Sequence, residues 1–166
     1  MYLKTGKDQT RASVARPAMI LAMLVVFADQ ASKWSAPLLM NGPLRRWVVP
    51  ATNPEFTLGI GSASRGVVLT AAIVTLIIFG CHTLHLMRRG GLPWWVPALL
   101  IGGAVGNIID RIALGAVRDF IVVGNMLVNV ADLAVLLGLI AYTAHRFRPD
   151  LAIATRDKPA TVPHAA

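Results

Sequence analysis

The chain has 166 residues, 55% of them hydrophobic and only 14% charged, with a mean hydropathy of +0.62. Soluble domains carry about 25% charged residues, so this composition excludes an ordinary soluble enzyme and fits one membrane-embedded bundle. The formal net charge of +8, with few aromatics beside it, suits anionic lipid headgroups rather than nucleic acid, and the single cysteine, Cys81, leaves no intramolecular disulfide or multi-cysteine metal site.

Residues 1–17 are polar and basic, with Lys4, Lys7, Arg11 and Arg16, and are expected to form a mobile tail. The first apolar run predicts a span over 18–36, near the ~20 residues that cross a bilayer. It lacks a small-x-small cleavage site before a soluble segment, and three more apolar runs follow, so it reads as a retained anchor. Asp29 and Lys33, four apart, share a helix face and can pair along it. Residues 37–65 form a long polar connection containing Asn41-Gly42-Pro43, Arg45, Arg46 and Asn53-Pro54-Glu55. Its β-branched residues between turn formers predict short strands on the membrane surface, with Trp47 at the interface.

A second span is predicted over 66–87, closed by Arg88 and Arg89. His82 and His85 share a face near its end; without a third ligand they read as interfacial side chains rather than a metal site. The third span is predicted over 92–109, with Trp94 and Trp95 as interface anchors and a Gly102-xxx-Gly106 step for close helix approach. The fourth is predicted over 126–144, followed by a flexible tail over 146–166. The whole reads as an all-α membrane protein: one four-transmembrane-helix bundle over 18–145, with a small extracytoplasmic β-like subdomain between spans 1 and 2.

Four spans place both tails on one side. The tails and the 88–91 loop hold ten lysines and arginines against six elsewhere, which puts tails and loop in the cytoplasm. Asp29, Asn107, Asp110, Asn129 and Asp132 then all fall at outer span ends, and Asp119 falls in the outer connection. The polar groups converge at one depth, near the outer leaflet.

Residues 102–132, GGAVGNIIDRIALGAVRDFIVVGNMLVNVAD, carry the chemistry. Asn107 and Asp110, and likewise Asn129 and Asp132, are three apart and share a helix face. Polar groups at membrane depth are costly unless they face a protein interior or a watery cavity. Two adjacent carboxylates resist ionising together and share one proton. The ionised partner can take a proton from water while the protonated one hydrogen-bonds a scissile carbonyl, so Asp119 and Asp132 could hydrolyse an amide with no metal or cofactor. HExxH, GxSxG and Walker-type motifs are missing from the sequence, and nothing in the spacing favours Ser62 or Ser64 with Lys33 as a serine–lysine pair. Taken singly, the groups have plainer roles: an Asp29–Lys33 ion pair, an Asp110–Arg111 pair, interhelical bonds from Asn107 and Asn129. Two other classes fit such residues. A proton-conducting transporter would spread its carboxylates through the membrane thickness, and a scaffold would only pair them with Lys33, Arg111 and Arg118.

Four ordered motifs, DQASK at 29–33, GGAVGNIIDR at 102–111, GAVRDF at 115–120 and NVAD at 129–132, resemble those of the bacterial lipoprotein signal peptidases (signal peptidase II). The resemblance covers roughly Leu21 to Tyr142. It implies an aspartic endopeptidase of the inner membrane that removes the signal peptide just before a cysteine carrying diacylglycerol; one chain contains the groups this needs, so a monomer suffices, and the carboxylate pair calls for no metal or cofactor. By that resemblance Asp119 and Asp132 are catalytic and Asn129 orients them. Asn107 and Arg111 hold substrate and site geometry, supported by Asp110; Asp29 and Lys33 shape the site; Asn53 binds substrate backbone; and Ala131 belongs to the supporting motif. The expected partners are diacylglyceryl-modified prolipoproteins, membrane lipids and globomycin-type cyclic peptide inhibitors. The chain departs from the family pattern in three places. Glu55 stands where the outer-loop Asn-x-Gly motif has glycine, Val128 where phenylalanine is common, and the connection between the two aspartates is short.

Overall fold

The computed structural model describes residues 6–40, 42–53 and 64–147. Its elements are α1 (Gly6–Leu39), β1 (Val48–Asn53), α2 (Arg65–Arg88), α3 (Trp95–Leu114), β2 (Val117–Val123), β3 (Met126–Val128) and α4 (Val130–Arg146). Among the described residues three helices are long and apolar enough to cross a membrane: Val14–Leu39, Arg65–Arg88 and Trp95–Leu114. At 17 residues, α4 is shorter, about 25 Å at the helical rise per residue.

The boundaries differ from those read in the sequence, for physical reasons. Residues 6–17 are helical rather than a tail, because glutamine, arginine, lysine and alanine propagate a helix without any apolar stripe; α1 even carries Pro17 and Pro37 within it. The third helix runs on past Ile109 to Leu114, because Asp110 finds tertiary partners that let it stay in the bundle. It ends at Gly115, whose φ of 72° supplies the left-handed cap. Met126–Val128, assigned to the fourth span, is a strand. Such a short apolar run has no periodicity to separate helix from strand, and the Gly124-Asn125 turn, with Gly124 at φ 59°, folds it back onto β2.

The sheet also differs from expectation. Its order is β1-β2-β3, both pairs antiparallel. Among the described residues, β1 is the strand contributed by the connection between the first two spans. The other two strands come from the connection between α3 and α4, so the sheet joins both rather than forming a subdomain within the first. Ala51 pairs with Asp119 and Asn53 with Val117. Glu55 lies outside the described residues.

Helix α3 is central, packing on α1, α2 and α4. Its small residues make that possible. A Cβ on Gly102 would lie 2.8 Å from the Ala22 carbonyl oxygen, and one on Gly103 would lie 2.5 Å from that of Ala131. Val96, Ala98, Leu100 and Ile108 fill the interior, while Phe27, Ile77, Ile78, Leu136 and Leu137 are exposed. Outward apolar faces of this extent are what a lipid solvent selects.

Candidate active site

Every carboxylate singled out in the sequence and described here belongs to one hydrogen-bonded cluster at one end of the bundle. Asn129 is its hinge. This residue precedes α4 and caps it: its Oδ1 accepts the Asp132 backbone N–H at 2.9 Å, and Asp132 Oδ2 accepts the Asn129 backbone N–H at 3.1 Å. That reciprocal arrangement satisfies helix-end donors. With its side-chain nitrogen Asn129 also donates to Asp119 Oδ1 at 2.6 Å and to Asn107 Oδ1 at 3.1 Å. Asn107 in turn donates to Asp132 Oδ1 at 2.8 Å. The two aspartates read as a pair are thus tied to one asparagine and approach from different elements, Asp119 on β2 and Asp132 on the first turn of α4.

Beneath them lies a buried ionic layer. Asp29, fully buried on α1, accepts the Lys33 ammonium at 2.7 Å and the Ala131 backbone N–H at 2.9 Å. The second bond gives one of α4's unpaired N-terminal donors an anionic partner, which the helix dipole favours. Gly106 leaves room for that carboxylate, since a Cβ there would sit 2.7 Å from Asp29 Oδ2. Lys33 reaches Asp110 Oδ2 at 3.3 Å and donates to Asn107 Oδ1 at 3.1 Å. Its ammonium is therefore a shared counter-ion, not the base of a serine–lysine pair.

Asp110 finds its hydrogen-bonded partner in Arg118. It binds Arg118 through a side-chain contact of 2.7 Å to Oδ1 and the Arg118 backbone N–H at 2.9 Å to Oδ2. Arg118 continues to Gln30 Oε1 at 2.9 Å and stacks over Trp34 at 5.0 Å. Gln30 donates to Asp29, the Gly106 carbonyl and Asp110. Sequence reading passed over Gln30, although it stands inside the DQASK motif, and saw Arg118 only as a pairing charge.

Arg111 instead lies within electrostatic reach of Asp132, Asp119 and Asp110. Asn53, at the end of β1, hydrogen-bonds Asp119. Burial pushes the Asp119 carboxyl above its ordinary value of 3.8, and the Asp132 charge adds to this; bonds from Asn129 and Asn53, and the Lys33 charge, pull the other way.

Asn53, Asn107, Arg111, Asp119 and Asp132 line one end of a cavity of about 620 Å³ between α2, α3 and α4. The rest of its wall is apolar, with Leu76, Phe79, Leu100, Val128 and Leu139 among the contributors. Asp29, Lys33, Asp110 and Asn129 are not on that wall; they hold it from behind. Among the described residues no three metal-ligating side chains converge, and His82 hydrogen-bonds Tyr142.

The family model described as signal peptidase (SPase) II matches residues 21–148. The chain belongs to the signal peptidase II family. It is 33% identical over 153 residues to the lipoprotein signal peptidase of Rhodopseudomonas palustris, covering 76% of this chain and 88% of that one. To the lipoprotein signal peptidase of Parasynechococcus marenigrum it is 32% identical over 136 residues, covering 76% and 86%. A bacterial membrane enzyme solved by the in meso method at 2.3 Å resolution shares the fold, with a TM-score of 0.66 and 22% identity over 89% of this chain and 94% of that one. As a signal peptidase II the chain is a protease.

Proposed function

We propose that this peptidase removes signal peptides from diacylglyceryl-modified prolipoproteins, cutting just before the lipidated cysteine with Asp119 and Asp132 as its catalytic pair. The observation that carries the reading is that these two carboxylates, held by one asparagine, face the polar end of the same largely apolar cavity. An apolar groove ending in a polar cluster suits a substrate that is itself an apolar helix with a lipid-bearing cleavage point.

The raised carboxyl of Asp119 supports giving it the role of acid. Its Oδ1 accepts from Asn129, and in this reading Asp119 carries the proton of the pair and donates it to the scissile carbonyl. Asp132, ionised, takes a proton from a water whose oxygen attacks the carbonyl carbon, while the carbonyl oxygen takes the Asp119 proton. The gem-diol then collapses: the C–N bond breaks, Asp132 returns its proton to the departing amine, and a diol hydroxyl returns one to Asp119. The dyad carries one negative charge throughout its resting state, and Arg111 beside it supplies the balancing positive charge. Asn53 and Asn107 complete the polar rim on which substrate backbone would rest, and Lys33 of the ionic layer holds Asn107 in place.

The remaining assignments rest on the same reading. Residues 18–145 form one membrane domain in which α4 is the fourth span, both termini are cytoplasmic, and the site faces the outer leaflet of a bacterial inner membrane. One chain holds every group required, so a monomer suffices, and globomycin-type cyclic peptides occupy the cavity as inhibitors.

The test is cleavage of a diacylglyceryl-modified prolipoprotein by purified protein in detergent, with Asp119→Asn and Asp132→Asn alongside and the fold of each checked. Cleavage by wild type alone is expected. Undiminished cleavage by both folded variants would overturn the dyad.

A further inference from the structure

Helix α2 packs chiefly on α3, leaving the cavity open between α2 and α4. At the end of that opening remote from the carboxylates the two helices meet through three rings. His82 Nε2 and the Tyr142 hydroxyl share a hydrogen bond of 3.1 Å, with ring centroids 6.1 Å apart in an edge arrangement. Phe79, on the cavity wall, lies 5.3 Å from Tyr142 and 6.3 Å from His82, centroid to centroid. The placement follows from helical periodicity. Ala72, Thr75, Leu76 and Phe79 line the cavity from α2, and His82 is the next residue on that stripe. On α4, Asp132, Val135, Leu136 and Leu139 do the same, and Tyr142 comes next.

We infer that the His82–Tyr142 pair is the floor of the substrate groove and sets the length of apolar signal-peptide segment this peptidase accepts. The inference rests on the prolipoprotein reading above. From Asp132 to Tyr142 the helix rises about 15 Å, which matches an apolar helical segment of roughly ten residues. The apolar core of a secretory signal peptide is about 7–15 residues long, so a floor at this depth divides that range. A polar floor is effective because an apolar segment that displaced it would separate the imidazole from the phenol and press both against its own apolar surface, which is costly. Phe79 packs both rings and keeps them across the gap.

The experiment compares kcat/KM for diacylglyceryl-modified prolipoprotein peptides with apolar segments of about 8 and 14 residues. The enzymes are the full-length wild type, His82→Ala and Tyr142→Phe. The readout is the ratio of long to short substrate, in which any general loss of activity cancels. Wild type is expected to favour the short segment about tenfold, the scale of opening one interhelical hydrogen bond, and both variants should lose most of that preference. A ratio near one in wild type, or an unchanged ratio in the variants, overturns the floor. Wild type that cuts neither substrate overturns the prolipoprotein reading itself. Asp132→Asn protein provides a second measurement that requires no turnover. A photo-crosslinker at the start of the short substrate's apolar segment should label residues around 79–82 or 139–142, and labelling confined to α1 overturns the floor.

Discussion

Asp132 and Asn129 cap one another, each accepting the other's backbone N–H, at 3.1 and 2.9 Å. The proposed catalytic base is therefore part of the helix start that it stands on. Its two oxygens accept from the Asn129 backbone and the Asn107 side chain. An ionised carboxylate has about four acceptor sites, so both oxygens retain capacity for water. Orientation and reactivity are served by the same bonds.

Asn129 can be used to separate those two services. Asn129→Ser keeps a good N-cap but is too short to donate to Asp119, and it adds no charge to the buried cluster. It should melt closer to wild type than Asn129→Ala while losing at least about 10²-fold in cleavage rate, the scale of a disrupted acid–base group. Asn129→Ala should lose the same activity and also about 1 kcal/mol of stability from the missing cap. Melting curves and cleavage rates on the same preparations distinguish the two.

Asp119 links stability to pH. Its folded-state pKa is raised, chiefly by burial, so the native state resists ionising it. Below the ordinary value of 3.8 the group is protonated whether folded or unfolded and nothing is lost. As pH rises through the folded value, the unfolded chain ionises freely while the native state does so at a cost, and stability falls. Asp119→Asn should therefore melt above wild type at neutral pH, with the gap closing in acid, even though it cannot cleave. Wild-type cleavage should decline on the alkaline side as the Asp119 proton is lost. Thermal melts and rates across pH check both.

Lys33 neutralises two buried aspartates at once. Lys33→Met should cost about 3–5 kcal/mol, the usual consequence of stranding buried charge. Adding Asp29→Asn should restore part of the loss, and a double-mutant cycle on melting free energies measures the coupling.

Gly103→Ala tests the closeness of α3 and α4. The new Cβ would meet the Ala131 carbonyl oxygen at 2.5 Å and a Val135 methyl at 2.8 Å, and the backbone atom cannot rotate away. A loss of about 1–3 kcal/mol is expected, together with reduced cleavage, because the displaced helix carries Asp132. Gly66→Ala, where a Cβ meets nothing within 4 Å, is the control and should leave both unchanged.

The membrane class, the approximate positions of three long helices and the convergence of the carboxylates were legible in the chain itself. Hydrophobic run length is a local property, and four aspartates among apolar residues are conspicuous because burying them is expensive. The spacing of Asn129 and Asp132 likewise announced a shared face, and it proved to be a capping box. What spacing could not supply was partner choice. Asp110 stands beside Arg111 in sequence, but on a helix consecutive side chains diverge by about 100°; the carboxylate turned to Arg118 on a strand instead. Gln30 was overlooked because an amide is conspicuous only once its neighbours are known.

By itself, then, the sequence determined the solvent in which this protein lives, the family motifs and the residues able to do acid–base chemistry. Each of these follows from residue type and from periods of a few residues. Tertiary structure alone decided that the strands come from two connections, that Asp29 caps a helix opened by another part of the chain, and that Asn53 meets Asp119 across a strand pair. Those relationships depend on contacts between residues distant along the chain, where chain order places no limit on which polar group satisfies which.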